Sequence, residues 1–150
     1  MTGRESFDAA AGRVFSAAAH RHLRISLVIG SLYDAAFAVV NLIAPATGAR
    51  LLGITMPTDE VYLRFTGVFL ILLALFYMLP AIHPGRYLGN VTVAIIGRTL
   101  GAIFLFAAVI GWGHPQAFLL LGAADLLFAL LHAVLLWRAE GGNPLRHYLR

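Results

Sequence analysis

Apolar residues dominate four stretches of the chain, approximately residues 24–42, 62–82, 91–112 and 117–137, and polar residues collect between them. Each run is close to the ~20 residues that an α-helix needs to cross a hydrocarbon core of roughly 30 Å. The connections are short: residues 44–61, then the turn HPGRYLGN over 83–90, then GHPQ over 113–116. Helices joined by such turns are antiparallel neighbours, so the pattern predicts an all-α, up-and-down transmembrane four-helix bundle. No soluble domain fits in what remains, and residues 1–150 read as one integral membrane domain.

The first 22 residues, MTGRESFDAAAGRVFSAAAHRH, are too polar to be a span. Thr2 and Glu5 have capping-box spacing, and Phe7, Ala11, Val14, Phe15 and Ala18 recur at helical intervals, with Arg4, Asp8 and Arg13 elsewhere around the wheel. That pattern predicts an N-terminal amphipathic interfacial helix lying on the membrane surface or on a partner. The segment TGARLLGITMP, residues 47–57, predicts a similar short helix on the opposite side.

Composition strengthens the membrane reading. Of the 150 residues, 60% are hydrophobic and 12% charged, against roughly 25% charged in ordinary soluble domains. Mean hydropathy is +0.82. All 11 basic residues are arginine, a bias that fits a G+C-rich genome and so a bacterium. The formal charge of +4 invites a nucleic-acid reading, which fails because the arginines sit beside apolar spans. With Cys at 0, disulfides, iron–sulfur ligation and thiolate chemistry are excluded.

Arginine placement sets the expected orientation, because the cytoplasmic side collects positive charge. With the N-terminus inside, that side holds Arg4, Arg13, Arg21, Arg24, Arg86, Arg138, Arg146 and Arg150, and the other side only Arg50 and Arg64. The expectation is a bacterial inner (cytoplasmic) membrane protein, multi-pass, N-in and C-in. Arg21 and Arg24 ahead of an apolar run, with APA at 44–46, also resemble a signal peptide. Asp34, near the centre of that run, argues against cleavage.

Three formal charges lie deep in the spans: Asp34 in the first, Arg98 in the third and Asp125 in the fourth. At ~1.5 Å per residue they fall roughly 15, 10 and 18 Å from the inner boundary. Ionisable residues at such depth usually face the bundle interior and pair with one another. Arginine has the planar fork to serve two acceptors, so the spacing predicts a cluster in which Arg98 bridges both carboxylates. Two further side chains, Tyr77 and His132, fall at the height of Arg98, with His132 seven residues after Asp125 on the same helix face. Together the five residues are expected to line one cytoplasm-facing half-cavity, where a quinone, a lipid or a proton could be handled. Asp with His on one face suits a proton relay; the competing reading makes His132 a packing residue and Tyr77 an interfacial anchor.

His132 could also serve as a single axial ligand to a chlorin or haem, although no second histidine lies deep enough to complete a haem pair, and no multi-residue metal site is expected. Gly97 and Gly101 form G-x-x-x-G in the third span, a spacing that lets helices approach closely. Gly30, Ala35, Ala36, Gly122 and Ala129 are further small contact points. No P-loop, nucleophile elbow or H-E-x-x-H is present. The polarity is confined to one half of the membrane, unlike the full-depth stripe or repeated broken helices of channels and transporters.

With these positions placed, the chain resembles the DoxX-like group of small four-helix bacterial membrane proteins. The resemblance is carried by YDAAFAVVNLIAP over 33–45, RFTGVFLILLALFYMLPAIHP over 64–84, GRTLG over 97–101 and GAADLLFALLHAVLLW over 122–137. Some members of that group are membrane subunits linked to quinone-dependent oxidation, which implies a quinone or lipid pocket at Asp34, Arg98 and Asp125. The leading expectation is a non-catalytic accessory subunit, embedded in the lipid bilayer, that packs with other membrane protein subunits of a larger bacterial complex, such as a respiratory or photosynthetic electron-transfer one. The alternatives are a quinone-linked membrane oxidoreductase or lipid-binding protein, and a small transporter.

Overall fold

The computed structural model describes residues 3–84 and 86–140, with side chains from residue 17 onward. Among them are five helices and no strand: α1 (Gly3–Ile43), α2 (Pro45–Leu52), α3 (Val61–Ile82), α4 (Leu88–Trp112) and α5 (Ala117–Ala139). Four of these are long and apolar enough to cross a membrane, with the span in α1 covering Ala17–Ile43. The expected ends of the last three spans hold to within three residues.

The first helix departs from expectation, because α1 continues without a break through the boundary placed near residue 23. Residues 3–43 contain no proline and are rich in alanine, so nothing in the backbone chemistry ends the helix where the hydropathy changes. The apolar face expected for residues 1–22 falls mainly on side chains outside the described residues. The short helix expected over 47–57 lies instead at Pro45–Leu52. Ala44 is forced out of helical geometry by the following proline, and Pro45 then opens α2 at the position proline favours. Gly53 closes it at φ 68°, with its own N–H on Arg50 O and that of Ile54 on Ala49 O, the Schellman arrangement that a left-handed glycine permits.

Cross-helix hydrogen bonds fix the direction of the neighbours. Arg24 Nε donates to Ala81 O at 2.8 Å, Ser31 Oγ donates to Ala74 O at 2.7 Å, and Arg64 donates to Leu42 O. Numbers rise along α1 as they fall along α3, so the two helices run antiparallel. They approach closely at Gly67, where a Cβ would come within 2.7 Å of Leu42 Cγ and 3.0 Å of Ala38 O. On the other side α5 packs on both α4 and α1, closing a four-helix bundle.

Through the middle of the bundle the spanning helices bury mainly small and polar residues and turn many of their large apolar ones outward. In α4 the buried positions include Val91, Ala94, Arg98 and Ala102, while Ile96, Leu100 and Ile103 are exposed. That is the distribution expected when lipid rather than water surrounds the bundle, since helices then associate through close packing and hydrogen bonds. The end of the bundle nearest residue 23 is sealed by Leu23, Leu27, Leu88, Val91, Leu135 and Leu136. Among the described residues, the half nearest α2 contains a partly open cavity.

Candidate functional site

Arg98 enters the bundle from the buried stripe of α4 and is 3% exposed. Its Nη2 donates to Asp34 Oδ2 at 2.7 Å and to the Gly30 carbonyl at 3.2 Å. Nη1 donates to Asp125 Oδ1 at 2.5 Å. One planar guanidinium thus joins α1, α4 and α5 through charge-assisted bonds, the stronger kind of hydrogen bond. Two carboxyls share a single guanidinium, so the layer carries a formal excess of one negative charge.

Aromatic rings surround the fork. The guanidinium carbon lies 4.8 Å from the centre of the Phe128 ring, 5.0 Å from Tyr77 and 5.9 Å from Tyr33, within the range of cation–π attraction. Tyr33 and Phe128 also meet each other, with centroids 5.8 Å apart. Neither ring was anticipated. Phe128 stands between Asp125 and His132 on one helix face, and Tyr33 directly precedes Asp34, so both were within reach of spacing arguments.

Glycines supply the room. A Cβ at Gly30 would stand 3.3 Å from Arg98 Nη2, and one at Gly101 only 3.0 Å from Asp125 Oδ2. Gly97 is different: it is exposed, and its Cβ would meet only the Tyr77 hydroxyl at 3.9 Å. Within this chain Gly97 therefore meets no neighbouring helix closely, while Gly101 faces the Asp125 carboxylate on α5. Gly101 makes space for a carboxylate; Gly67 and Gly122 are where helices press together, the latter with Phe106 Cε1 2.9 Å from its Cβ position.

The five polar residues do surround Arg98, but they do not share one cavity. Asp34 and Asp125 form the inner wall of a partly open cavity of about 250 Å³ in the half of the bundle nearest α2. Its other polar lining comes from Tyr33, Asn41 and Thr66, and its apolar lining includes Phe37, Leu70 and Phe118. Tyr77 and His132 lie on the far side of the guanidinium and do not line it. Among the described residues, the cavity that Asp34 and Asp125 line lies in the half nearest α2, not on the N-terminal side where it was expected.

His132 is fully buried, and neither of its ring nitrogens has a hydrogen-bond partner. Phe128 lies against it at 6.0 Å between centroids, and Gly30 faces its Cε1. A ring enclosed in this way presents no open face to a chlorin or haem macrocycle. Among the described residues no group of three or more His, Asp and Glu side chains is placed to hold a metal ion.

Asp34 and Asp125 both line the cavity, and their carboxyl groups keep hydrogen-bond acceptor capacity beyond the bonds to Arg98. Asn41 adds an amide that both donates and accepts, and the Thr66 hydroxyl, whose proton goes to Tyr62 O, adds an acceptor. Chemically the arrangement favours a head group that brings donors or positive charge and disfavours an anion. No family model matches the chain, and no curated protein or solved structure matches it either.

Proposed function

We propose that this chain is a bacterial inner-membrane protein, N-in and C-in, that binds the hydrogen-bond-donating head of a small amphiphile in the cavity above Asp34 and Asp125. The observation that carries the reading is the pairing of a membrane-embedded cavity with a floor of two carboxyls that share one guanidinium. At about 250 Å³ the cavity falls just below the ~300–1,000 Å³ of pockets that enclose drug-sized ligands. It takes a head group and leaves the tail to the lipid. Among quinone-type ligands the reduced form fits best, because quinol hydroxyls donate to carboxylates whereas quinone carbonyls do not. The resemblance to the DoxX-like group, with its links to quinone-dependent oxidation, agrees with that choice.

Such a protein can sit as an accessory subunit beside an electron-transfer complex, holding a quinol rather than oxidising it. The outward apolar residues are equally well satisfied by lipid, so they do not by themselves favour protein partners. Transport across the membrane is the weaker reading, since the packed leucines close the bundle beneath Arg98.

Purification from native membranes in a gentle detergent, followed by organic extraction and mass analysis, tests the proposal. The expected result is a quinol-type or amine-bearing amphiphile at close to one per chain, retained by His132→Leu and lost from Asp125→Asn. Absence of any such molecule, together with no binding of added ubiquinol or alkylamine, would refute it.

A further inference from the structure

At the end of the bundle opposite the cavity, where α3 gives way to α4, two more cavities of about 310 and 430 Å³ flank the α1 surface. Arg24 lines both. Arg21 contributes to the first, with Ile25 and Ile29, and Arg86 and His83 to the second. No carboxylate lines either one among the described residues. Arg24 is anchored, since its Nε donates to Ala81 O, and the bond leaves its terminal nitrogens to other acceptors. Arg86 is steadied by the Tyr87 ring, 5.7 Å from its guanidinium carbon.

We infer that these adjoining cavities form a binding site for one anionic phospholipid. Guanidinium forks match phosphate oxygens in planar, two-bond geometry, and basic pockets between transmembrane helices are suited to anionic head groups. The lipid, rather than a free phosphate or an acidic protein segment, is indicated by what lies next to the arginines. Ile25 and Ile29 are 50% and 52% exposed and follow Arg24 by one and five residues, which carries an apolar ridge about one and a half turns into the spanning part of α1. An acyl chain descending from a phosphate held by Arg21, Arg24 and Arg86 lies along that ridge.

The site is remote from the Asp34–Arg98–Asp125 layer and independent of what binds there. Arg21→Gln/Arg86→Gln removes two of the three guanidinia and leaves the Arg24 tie to α3 in place. Purified protein is presented with mixed micelles of phosphatidylglycerol or phosphatidylcholine, and retained lipid is counted by native mass spectrometry. One phosphatidylglycerol per chain is expected, preferred over phosphatidylcholine. Each arginine near an anionic lipid contributes about fivefold, so the double variant loses roughly 25-fold of that preference. Should the glutamine pair fail to fold, Arg86→Gln alone removes one guanidinium, and its preference is expected to fall by about fivefold. Equal retention of the two lipids by the wild type, or an unchanged preference in the variant that folds, overturns the inference. So does inorganic phosphate alone raising the melting temperature as far as phosphatidylglycerol does, because the acyl chain would then contribute nothing.

Discussion

Replacing Arg98 with leucine removes the hub on which three helices converge, and its cost can be worked from the contacts. Arg98→Leu deletes two ion pairs, at 2.5 and 2.7 Å, and one bond to a backbone carbonyl. Unit charges ~4 Å apart at an effective dielectric of about 20 attract by ~4 kcal/mol. Stranding a buried partner likewise costs ~3–5 kcal/mol. Two partners are stranded here, yet the total does not double. The Asp125 side chain is 21% exposed and can recover hydration through the cavity, whereas Asp34, at 6%, cannot. The expected loss is therefore about 4 kcal/mol, a large share of the ~5–15 kcal/mol that holds a typical domain together. Reversible unfolding in mixed detergent and dodecyl sulfate micelles, followed by far-ultraviolet circular dichroism, measures it. The triple variant Asp34→Asn/Arg98→Leu/Asp125→Asn carries no unpaired charge and should recover about half of the loss. An Arg98→Leu protein within about 1 kcal/mol of the wild type, or a triple variant no more stable than the single one, would refute this account of the layer.

Three other substitutions probe the packing around it. Gly101→Ala puts a methyl 3.0 Å from Asp125 Oδ2 and should cost about 1–2 kcal/mol by displacing that carboxylate, whereas Gly97→Ala should stay within about 0.5 kcal/mol; the same unfolding assay compares them, and equal costs would restore the close-packing reading of the pair. Gly67→Ala drives a methyl against Leu42 and the Ala38 carbonyl, for an expected loss of about 1–3 kcal/mol; no loss of melting temperature would mean that α1 and α3 are not in close contact there. His132→Leu removes two buried nitrogens that lack partners, and should be neutral or stabilising by up to ~2 kcal/mol, so a destabilised variant would show that the imidazole holds a bond the geometry does not reveal.

Hydropathy located α3, α4 and α5 well because burial in lipid is a property of whole segments, and a run of ~20 apolar residues has few other uses. It misplaced the start of α1 for the same reason: it reports where polarity changes, not where backbone hydrogen bonding stops. Depth counting brought Arg98, Asp34 and Asp125 to compatible heights, since rise per residue is fixed. It could not tell which way the arginine side chain leans. That choice depends on Phe128, Tyr77 and Gly30, whose contacts with the guanidinium arise only when four helices are packed, and it decides which half of the membrane contains the cavity. The glycines divide along similar lines. G-x-x-x-G is visible as a pattern, but the partner at each position, a carboxylate at Gly101 and helix backbone at Gly67, is a matter of rotation about the helix axis.

A layer that served only to fix helix register would be most stable if its charges balanced, because buried charge without a partner is the costliest feature a membrane interior can hold. Here one guanidinium is divided between two carboxyls, and both of those residues line a cavity. The imbalance is absorbed if a proton or a donor-bearing head group completes the layer from that side. Clasp and binding site then become separable at one residue. Asp34 is buried against Arg98 and Gly30 on α1, so Asp34→Asn should lower stability by about 2–3 kcal/mol and disturb binding only through the fold. Asp125 is the more exposed partner, so Asp125→Asn should cost less, about 1.5 kcal/mol, while removing most of the ligand occupancy. If the two variants lose stability and occupancy in the same proportion, the layer is a clasp alone and the cavity above it is incidental.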